Sequence, residues 1–126
     1  MKTILINIFF LMAVGMSAQT EVDFLNALGE GKTGNLDSYL SAKINLCIND
    51  EQEKVDKATA IRKIRSFLKS KKVVRHKILH KGKSADKNSS YRVARIKTKA
   101  GTYRVFAYSE RKGGSSKVVE VRIDAM

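Results

Sequence analysis

The sequence predicts an α+β domain in which helices come first and an antiparallel sheet follows. Three observations indicate this class. Residues 56–70 repeat apolar side chains at helical spacing, the chain from Val73 onward alternates at period two, and short turn-forming segments separate the alternating runs. Helical patterns followed by a run of strands are typical of α+β folds.

Composition bounds the domain count and the class of protein. The 126 residues are enough for one compact domain with its own core. Hydrophobic residues make up 43% of the chain and charged residues 29%, with no proline, which indicates a globular protein rather than a disordered or collagenous one. Lys and Arg number 25 against 12 Asp and Glu, so the formal net charge of +13 makes acidic partners a class to consider.

The first stretch, "MKTILINIFFLMAVGMSAQ", is predicted to be a signal peptide over residues 1–18, leaving residues 19–126 as a single domain. Its apolar run, Ile4–Val14, is short for a bilayer span, and charged sequence follows it, which favours a cleaved export signal over an anchor. Cleavage after Ser17 and cleavage after Ala18 both stay open. We therefore expect a periplasmic or secreted protein with no membrane span after cleavage.

Two helices are predicted after this segment. The first lies in "TEVDFLNALGEG", with Thr20 as its N-cap and two glycines at its end. Its predicted apolar face holds Val22, Leu25 and Leu28. A shorter helix is predicted in "NLDSYL", with Asn35 as its cap.

A strand and a long helix follow. In "AKINLCI" apolar and other residues alternate, which predicts a half-buried strand ending at the turn Asn49–Asp50. The clearest helix is "DKATAIRKIRSFLKS", with Asp56 as its N-cap. Its predicted apolar stripe consists of Ala58, Ile61, Ile64, Phe67 and Leu68, and its basic residues form a separate, solvated face.

Four further strands are predicted in "VVRHKILHK", "YRVARIKT", "TYRVFAYSER" and "KVVEVRID". If Ala100–Gly101 is a two-residue turn, Ile96 lies opposite Val105, and Ala94 opposite Ala107. These four apolar residues then form the core side of the hairpin.

The strand register of the next hairpin follows from the same requirement, that the apolar residues of both strands lie on the core side. A five-residue loop over residues 112–116 places Val121 beside Ala107 and Ile123 beside Val105, whereas a slip of one residue would turn charged side chains inward. The rows predicted for the outer face are then Lys97, Arg104, Asp124; Arg95, Phe106, Arg122; and Val93, Tyr108, Glu120.

The order of helix, short helix, strand, long helix and four antiparallel strands resembles the cone-like α+β fold of the nuclear transport factor 2-like, or cystatin-like, superfamily. More narrowly, "KATAIRKIRSFLKS", "ILHKGKS", "GTYRVF" and "VRID", together with the signal segment, resemble a family of short exported bacterial proteins of unknown function. The resemblance implies N-terminal helices and one long helix packed on a curved antiparallel sheet around a cavity. It implies no catalytic residues.

The stretch "HKILHKGKS" contains both histidines of the chain, His76 and His80. On a strand, residues four apart lie about 13 Å from each other, which is too far for one metal ion, so we predict no metal site. Strand parity places both histidines on the inner face. Since the resembling superfamily lines its cavity with that face, the predicted cavity residues are His76, His80, Phe67, Ile96 and Tyr103; the alternative is histidines hydrogen-bonded at the margin of the core.

The opposite face of the sheet is rich in cations and carries two aromatic residues. If the first long strand adjoins the second, this face becomes a continuous basic field with aromatic side chains in it. The predicted outer-face binding residues are Arg75, Lys77, Lys81, Arg95, Lys97, Arg104, Phe106, Tyr108 and Arg122.

Three functions stay open at this stage. The first is a non-enzymatic binding or scaffold module of the bacterial cell envelope, which contacts an unknown protein, a small apolar ligand or, through its outer sheet face, a second copy of the chain. The second is binding of polyanions, namely acidic polysaccharide, anionic lipid headgroups or nucleic acid. The third is a cavity-based enzyme using His76 or His80. We predict the first, with no enzymatic activity and no cofactor.

Overall fold

A computed structural model describes residues 20–83 and 88–126, and of residues 80–83 it describes the backbone alone. The predicted signal peptide lies outside the described residues. In chain order the elements are helix α1 (Thr20–Gly29), a 3₁₀ helix (Leu36–Tyr39), strands β1 (Leu40–Ile48) and β2 (Glu51–Asp56), helix α2 (Lys57–Lys71), and strands β3 (Val73–Lys83), β4 (Ser89–Thr98), β5 (Gly101–Lys112) and β6 (Ser115–Ala125).

The strands form one six-stranded sheet in the order β2-β1-β6-β5-β4-β3. Neighbouring strands are antiparallel except for β1 and β6, which are parallel. Both helices pack on one face, which we call the inner face; the opposite face is the outer face. The buried core joins α1 and α2 to the inner face and includes Phe24, Leu28, Ile64, Ile96, Val105 and Val121. The predicted α+β class is confirmed.

The helices differ in detail from the sequence expectation. The buried residues of α2 are Ala60, Ile64 and Leu68, which are four residues apart and therefore lie on one side of the helix, against β1. Ala58, which was predicted in the apolar stripe, is exposed. In α1 Phe24 joins Leu25 and Leu28 in the core, and Val22 is only half-buried.

The three predicted caps have different outcomes. Thr20 is the first residue of α1 and not its cap, and its hydroxyl donates to the Ser116 carbonyl at 3.3 Å. Asn35 is the N-cap of the 3₁₀ helix as predicted, although its side chain makes no capping hydrogen bond; its carbonyl accepts from the Ser38 hydroxyl at 2.8 Å. The Asp56 carboxylate accepts from the Thr59 amide at 2.8 Å, as an N-cap should.

This cap gives a pH-dependent prediction. Hydrogen bonding to Thr59, with smaller contributions from the charges of Lys43 and Arg62, holds the pKa of Asp56 below its ordinary value. The stabilisation is therefore present above the unfolded-state pKa and is lost as the pH falls through the folded-state pKa. We expect Asp56→Ala to lower the urea midpoint at pH 7 and to match the wild type in strong acid. Asp56→Asn, which caps without titrating, should keep a pH-independent contribution, and equal losses for both variants at every pH would contradict this assignment.

Strand β2 is absent from the sequence prediction. Its residues "EQEKVD" are exposed except for half-buried Val55, so they carry no apolar alternation. The strand forms because Asn49 and Asp50 both adopt positive φ, 49° and 70°, which is the two-residue hairpin turn that returns the chain along β1.

The β4–β5 hairpin is shifted by two residues from its predicted register. Ile96 lies opposite Tyr103 and Ala94 opposite Val105, with Lys99–Ala100 as the turn. The buried Thr98 side chain fixes this turn, because its hydroxyl accepts from the Ala100 amide at 3.1 Å and donates to the Gly101 carbonyl at 2.7 Å. A shift of two keeps every side chain on its predicted face.

The β5–β6 pairing is confirmed where it matters for the core: Val105 lies opposite Ile123, and Ala107 opposite Val121. The predicted five-residue loop is wrong. Gly113 and Gly114, both at positive φ, form a two-residue turn, and an irregularity between Tyr108 and Ser109 in the pairing restores the predicted register further along.

Candidate functional site

The outer face has three rows of facing residues that run across the strands. On β5 and β6 the predicted pairs Arg104–Asp124, Phe106–Arg122 and Tyr108–Glu120 are confirmed. Their partners on β4 are Arg95, Val93 and Tyr91 instead of the predicted Lys97, Arg95 and Val93, because of the two-residue shift. The shift concentrates the aromatic residues in one part of the face and the cations in another.

The aromatic patch consists of Tyr91, Val93, Phe106 and Tyr108. The Tyr91 and Phe106 rings are 5.4 Å apart between centroids with an interplanar angle of 32°, and Tyr91 is 37% exposed. Phe106 and Tyr108 are half-buried by their strand neighbours. Since both helices pack on the inner face, no described helix covers this patch. The sequence missed Tyr91 because the predicted register left it without an aromatic neighbour.

Beside the patch lies the basic row, which we define as Lys77, Arg95 and Arg104, one residue from each of three adjacent strands. All three side chains are exposed. Arg75 pairs with Lys97 in the next row, and Arg122 borders Phe106; these predicted residues are exposed too. Within the described residues the one ion pair joins Lys63 to Glu53, so Asp124, which lies opposite Arg104 in the same row, is not within ion-pair distance of it.

Lys81 and His80 were predicted on opposite faces of β3, and their side chains lie outside the described residues. The backbone register is informative nevertheless. His76 lies opposite Ile96, and an irregularity between Ile78 and His80 brings His80 opposite Val93. This irregularity interrupts the strict alternation on which the parity argument rests, and the side chain of His80 itself lies outside the described residues.

His76 is half-buried between β3 and α1. Its Nε2 atom lies 2.9 Å from Oδ1 of Asn26, and its ring lies over Gly29 so closely that a β-carbon there would be 2.1 Å from the ring Cγ. The ring is thus a packing and hydrogen-bonding contact between helix and sheet, which matches the alternative of a histidine at the core margin.

The other predicted cavity residues lie in or beside the core. Ile96 is buried, and Tyr103 packs edge-on against Phe67, with ring centroids 5.0 Å apart and an interplanar angle of 84°. The Lys71 ammonium lies 5.7 Å from the centroid of Phe67 and 6.0 Å from that of Tyr103. These contacts join the end of α2 to the sheet.

A pocket of about 540 Å³ opens between the β1–β2 hairpin and α2. Of the predicted cavity residues whose side chains are described, Phe67 alone lines it. The full lining is Leu46, Ile48, Asn49, Glu51, Glu53, Arg62, Lys63, Ser66 and Phe67. The sequence missed this pocket because one wall is β2, the unpredicted strand.

A buried acid was also missed. Glu21 of α1 is 2% exposed, and one of its carboxylate oxygens accepts hydrogen bonds from the hydroxyls of Ser90 and Ser109. The Ser116 hydroxyl extends this cluster to Ser109 at 3.3 Å. The sequence does contain an indication of this contact. Glu21 lies four residues before Leu25 and so shares its helix face, and Ser109 alternates with residues of β5 that point to the inner face.

The described residues hold no group of three His, Cys, Asp or Glu side chains arranged for a metal ion. Within the same residues, no helix is both long enough and apolar enough to cross a bilayer.

The sheet, its helices and their order define a nuclear transport factor 2-like fold, which solved structures support. A nuclear transport factor 2-like protein from Cytophaga hutchinsonii ATCC 33406 has a TM-score of 0.63 and 17% identity, covering 86% of this chain and 93% of that one. A family model described as a domain of unknown function, DUF4783, matches residues 22–124, and the chain belongs to this family. The resemblance seen in the sequence is confirmed for the family and for the fold.

Solved members of the family are similar over most of their length. The protein from Bacteroides ovatus ATCC 8483 has a TM-score of 0.75 and 26% identity, covering 80% of this chain and 90% of that one. The protein from Bacteroides fragilis YCH46 has a TM-score of 0.73 and 29% identity, covering 79% of this chain and 92% of that one. A comparison with the curated proteins finds no match.

Proposed function

We propose that this protein is a non-enzymatic binding module of the bacterial cell envelope that holds its partner on the outer face of the sheet. The observation that carries the proposal is the aromatic patch, in which Tyr91, Phe106 and Tyr108 lie on neighbouring strands with no described helix over them. Aromatic side chains grouped on an uncovered surface favour a contact site. The N-terminal segment supports export to the periplasm or beyond.

The absence of an enzymatic role is part of the same proposal. His76 is held by Asn26 and by the backbone at Gly29, so its ring is engaged in packing. The buried carboxylate of Glu21 is engaged by two serine hydroxyls. Neither group lines the pocket beside α2. These contacts favour structural roles for the two groups best suited to proton transfer.

The charge of the outer face favours a polyanion as the partner. The basic row places three cations on adjacent strands, which lie roughly 4.8 Å apart. Arg122 adds a fourth cation at the other side of Phe106. In a contact between two copies, two basic outer faces would meet, with only Glu120 and Asp124 in the three rows to offset their charges, which costs free energy. An acidic polysaccharide, whose rings can lie on aromatic side chains and whose charges repeat, fits both features.

Salt-dependent binding to immobilised heparin tests this choice with the mature domain, residues 19–126. We expect elution above about 0.5 M salt. In the double variant Arg95→Gln with Arg104→Gln, the slope of the logarithm of the binding constant against the logarithm of the salt concentration should fall in magnitude by about 2, one for each lost contact. The matched control, Lys32→Gln with Lys69→Gln, removes two exposed charges outside the outer face of the sheet and should leave the slope unchanged.

Three outcomes would contradict the polyanion. Equal changes in both double variants would mean that only the net charge matters. A dimer in sedimentation equilibrium that Phe106→Ser dissociates would assign the outer face to a second copy of the chain instead. Elution at low salt together with a strict monomer that is indifferent to Phe106→Ser would remove the outer face from the proposal altogether.

A further inference from the structure

We propose that the pocket between the β1–β2 hairpin and α2 binds a small amphipathic carboxylate, such as a medium-chain fatty acid. This pocket lies on the inner side of the sheet and shares no residue with the outer-face patch or the basic row. The inference is therefore independent of the function proposed for the outer face.

The walls of the pocket supply an apolar contact surface. Leu46 and Ile48 are alternate residues of β1 on the inner face, and Phe67 comes from α2 across from them. Ile48 and Phe67 are only half-buried by the core, so part of each side chain is left for a ligand. The volume of about 540 Å³ falls within the range of small-molecule sites, roughly 300–1,000 Å³.

The helix side supplies hydrogen-bond donors. Arg62 and Ser66 are four residues apart on α2, which places their β-carbons about 5–6 Å from each other on one helix face. Both line the pocket. A guanidinium and a hydroxyl at this spacing can hold the two oxygens of one carboxylate while the chain of the ligand lies against Phe67.

Arg62 is the cation of the pocket that is left for an anion. Lys63 is paired with Glu53, so those two charges offset each other, whereas Arg62 forms no ion pair within the described residues, although its charge acts on Asp56 at the start of α2. Glu51, opposite Ile48 near the hairpin turn, brings the formal charge of the lining to zero, so the preference for an anion depends on the donors of Arg62 and Ser66. The net charge of +13 raises the local concentration of anions over that of cations.

Three probes of equal chain length test the inference: octanoate, octanol and octylamine, each titrated into the mature domain and followed by backbone amide NMR. We expect saturable shifts in β1, β2 and α2, with octanoate binding about tenfold more tightly than octanol because of the charged hydrogen bonds. Arg62→Gln should reduce octanoate to the affinity of octanol. Arg65→Gln, which alters an exposed arginine bonded to Thr33 and outside the pocket, is the matched control and should change nothing.

The proposal also predicts that Ser66→Phe, an exposed position on α2, fills the pocket and abolishes binding of octanoate. Octylamine or octanol binding as tightly as octanoate would overturn the carboxylate assignment. Octanoate binding that survives both Ser66→Phe and Arg62→Gln, or the absence of any saturable shift, would overturn the site. Because Arg62 is exposed, the Arg62→Gln result stands even if Ser66→Phe fails to fold.

Discussion

Gly29→Ala is expected to destabilise the domain by about 2–4 kcal/mol, although glycine to alanine in a helix ordinarily stabilises. The added β-carbon would lie 2.1 Å from Cγ, 2.3 Å from Nδ1 and 2.5 Å from Cδ2 of His76. The ring cannot move aside freely, because Nε2 is hydrogen-bonded to Asn26. Either the helix separates from β3 or that hydrogen bond is lost. Urea unfolding of the mature domain measures the loss.

Two further variants decide whether the His76 ring is the cause. Gly34→Ala adds the same methyl group where no atom lies within 4 Å, and we expect a change within about 0.5 kcal/mol. In the double variant Gly29→Ala with His76→Ala, the loss should be smaller than the sum of the two single losses. A Gly29→Ala variant as stable as the wild type would show that α1 and β3 are not in this contact.

Glu21→Ala is expected to cost about 2–3 kcal/mol. Removing the carboxylate leaves the hydroxyls of buried Ser109 and half-buried Ser90 without their carboxylate acceptor. Glu21→Gln keeps one acceptor oxygen and should cost less, about 1 kcal/mol. Thermal and urea unfolding of the three proteins at one pH gives the comparison.

The matched control for Glu21 is Asp23→Ala. Both acids lie in the first turn of α1, so both lose a favourable interaction with the helix dipole, but Asp23 is exposed. We expect a loss within about 0.5 kcal/mol for Asp23→Ala. Equal losses at the two positions would mean that the helix dipole, and not the serine cluster, accounts for the effect of Glu21.

The face of most sheet residues could be predicted, because period-two alternation indicates which side of the sheet a residue lies on. The same alternation does not indicate which residue lies opposite on the neighbouring strand. Ile96 was predicted opposite Val105 and lies opposite Tyr103, yet it is buried as expected. A hairpin register depends on the turn, and the turn depends on the two hydrogen bonds of the Thr98 hydroxyl. Nothing in the alternation of "YRVARIKT" encodes those bonds, so the faces were correct and the rows were not.

The features that the sequence did not predict arise from contacts between distant residues. Strand β2 is held by its pairing with β1 and has almost no apolar pattern of its own, so neither the strand nor the pocket that it lines could be predicted. Glu21 meets Ser90 and Ser109 only after α1 docks on the sheet, 69 and 88 residues away in sequence. Strand β3 has an irregularity between Ile78 and His80, which alternation in the sequence cannot report.

The central position of β6 sets the order in which this chain can fold. The last strand lies between β1 and β5, and its parallel pairing joins Leu40 to Val118 across most of the chain. Until residues 115–125 are available, β1 has only β2 beside it, and Ile44 and Leu46 lack the core partners Val121 and Ile123. A chain still emerging from the ribosome or from a translocation channel therefore stays without its central strand, and the β1–β2 hairpin can join the β3–β4–β5 strands only once β6 pairs between them.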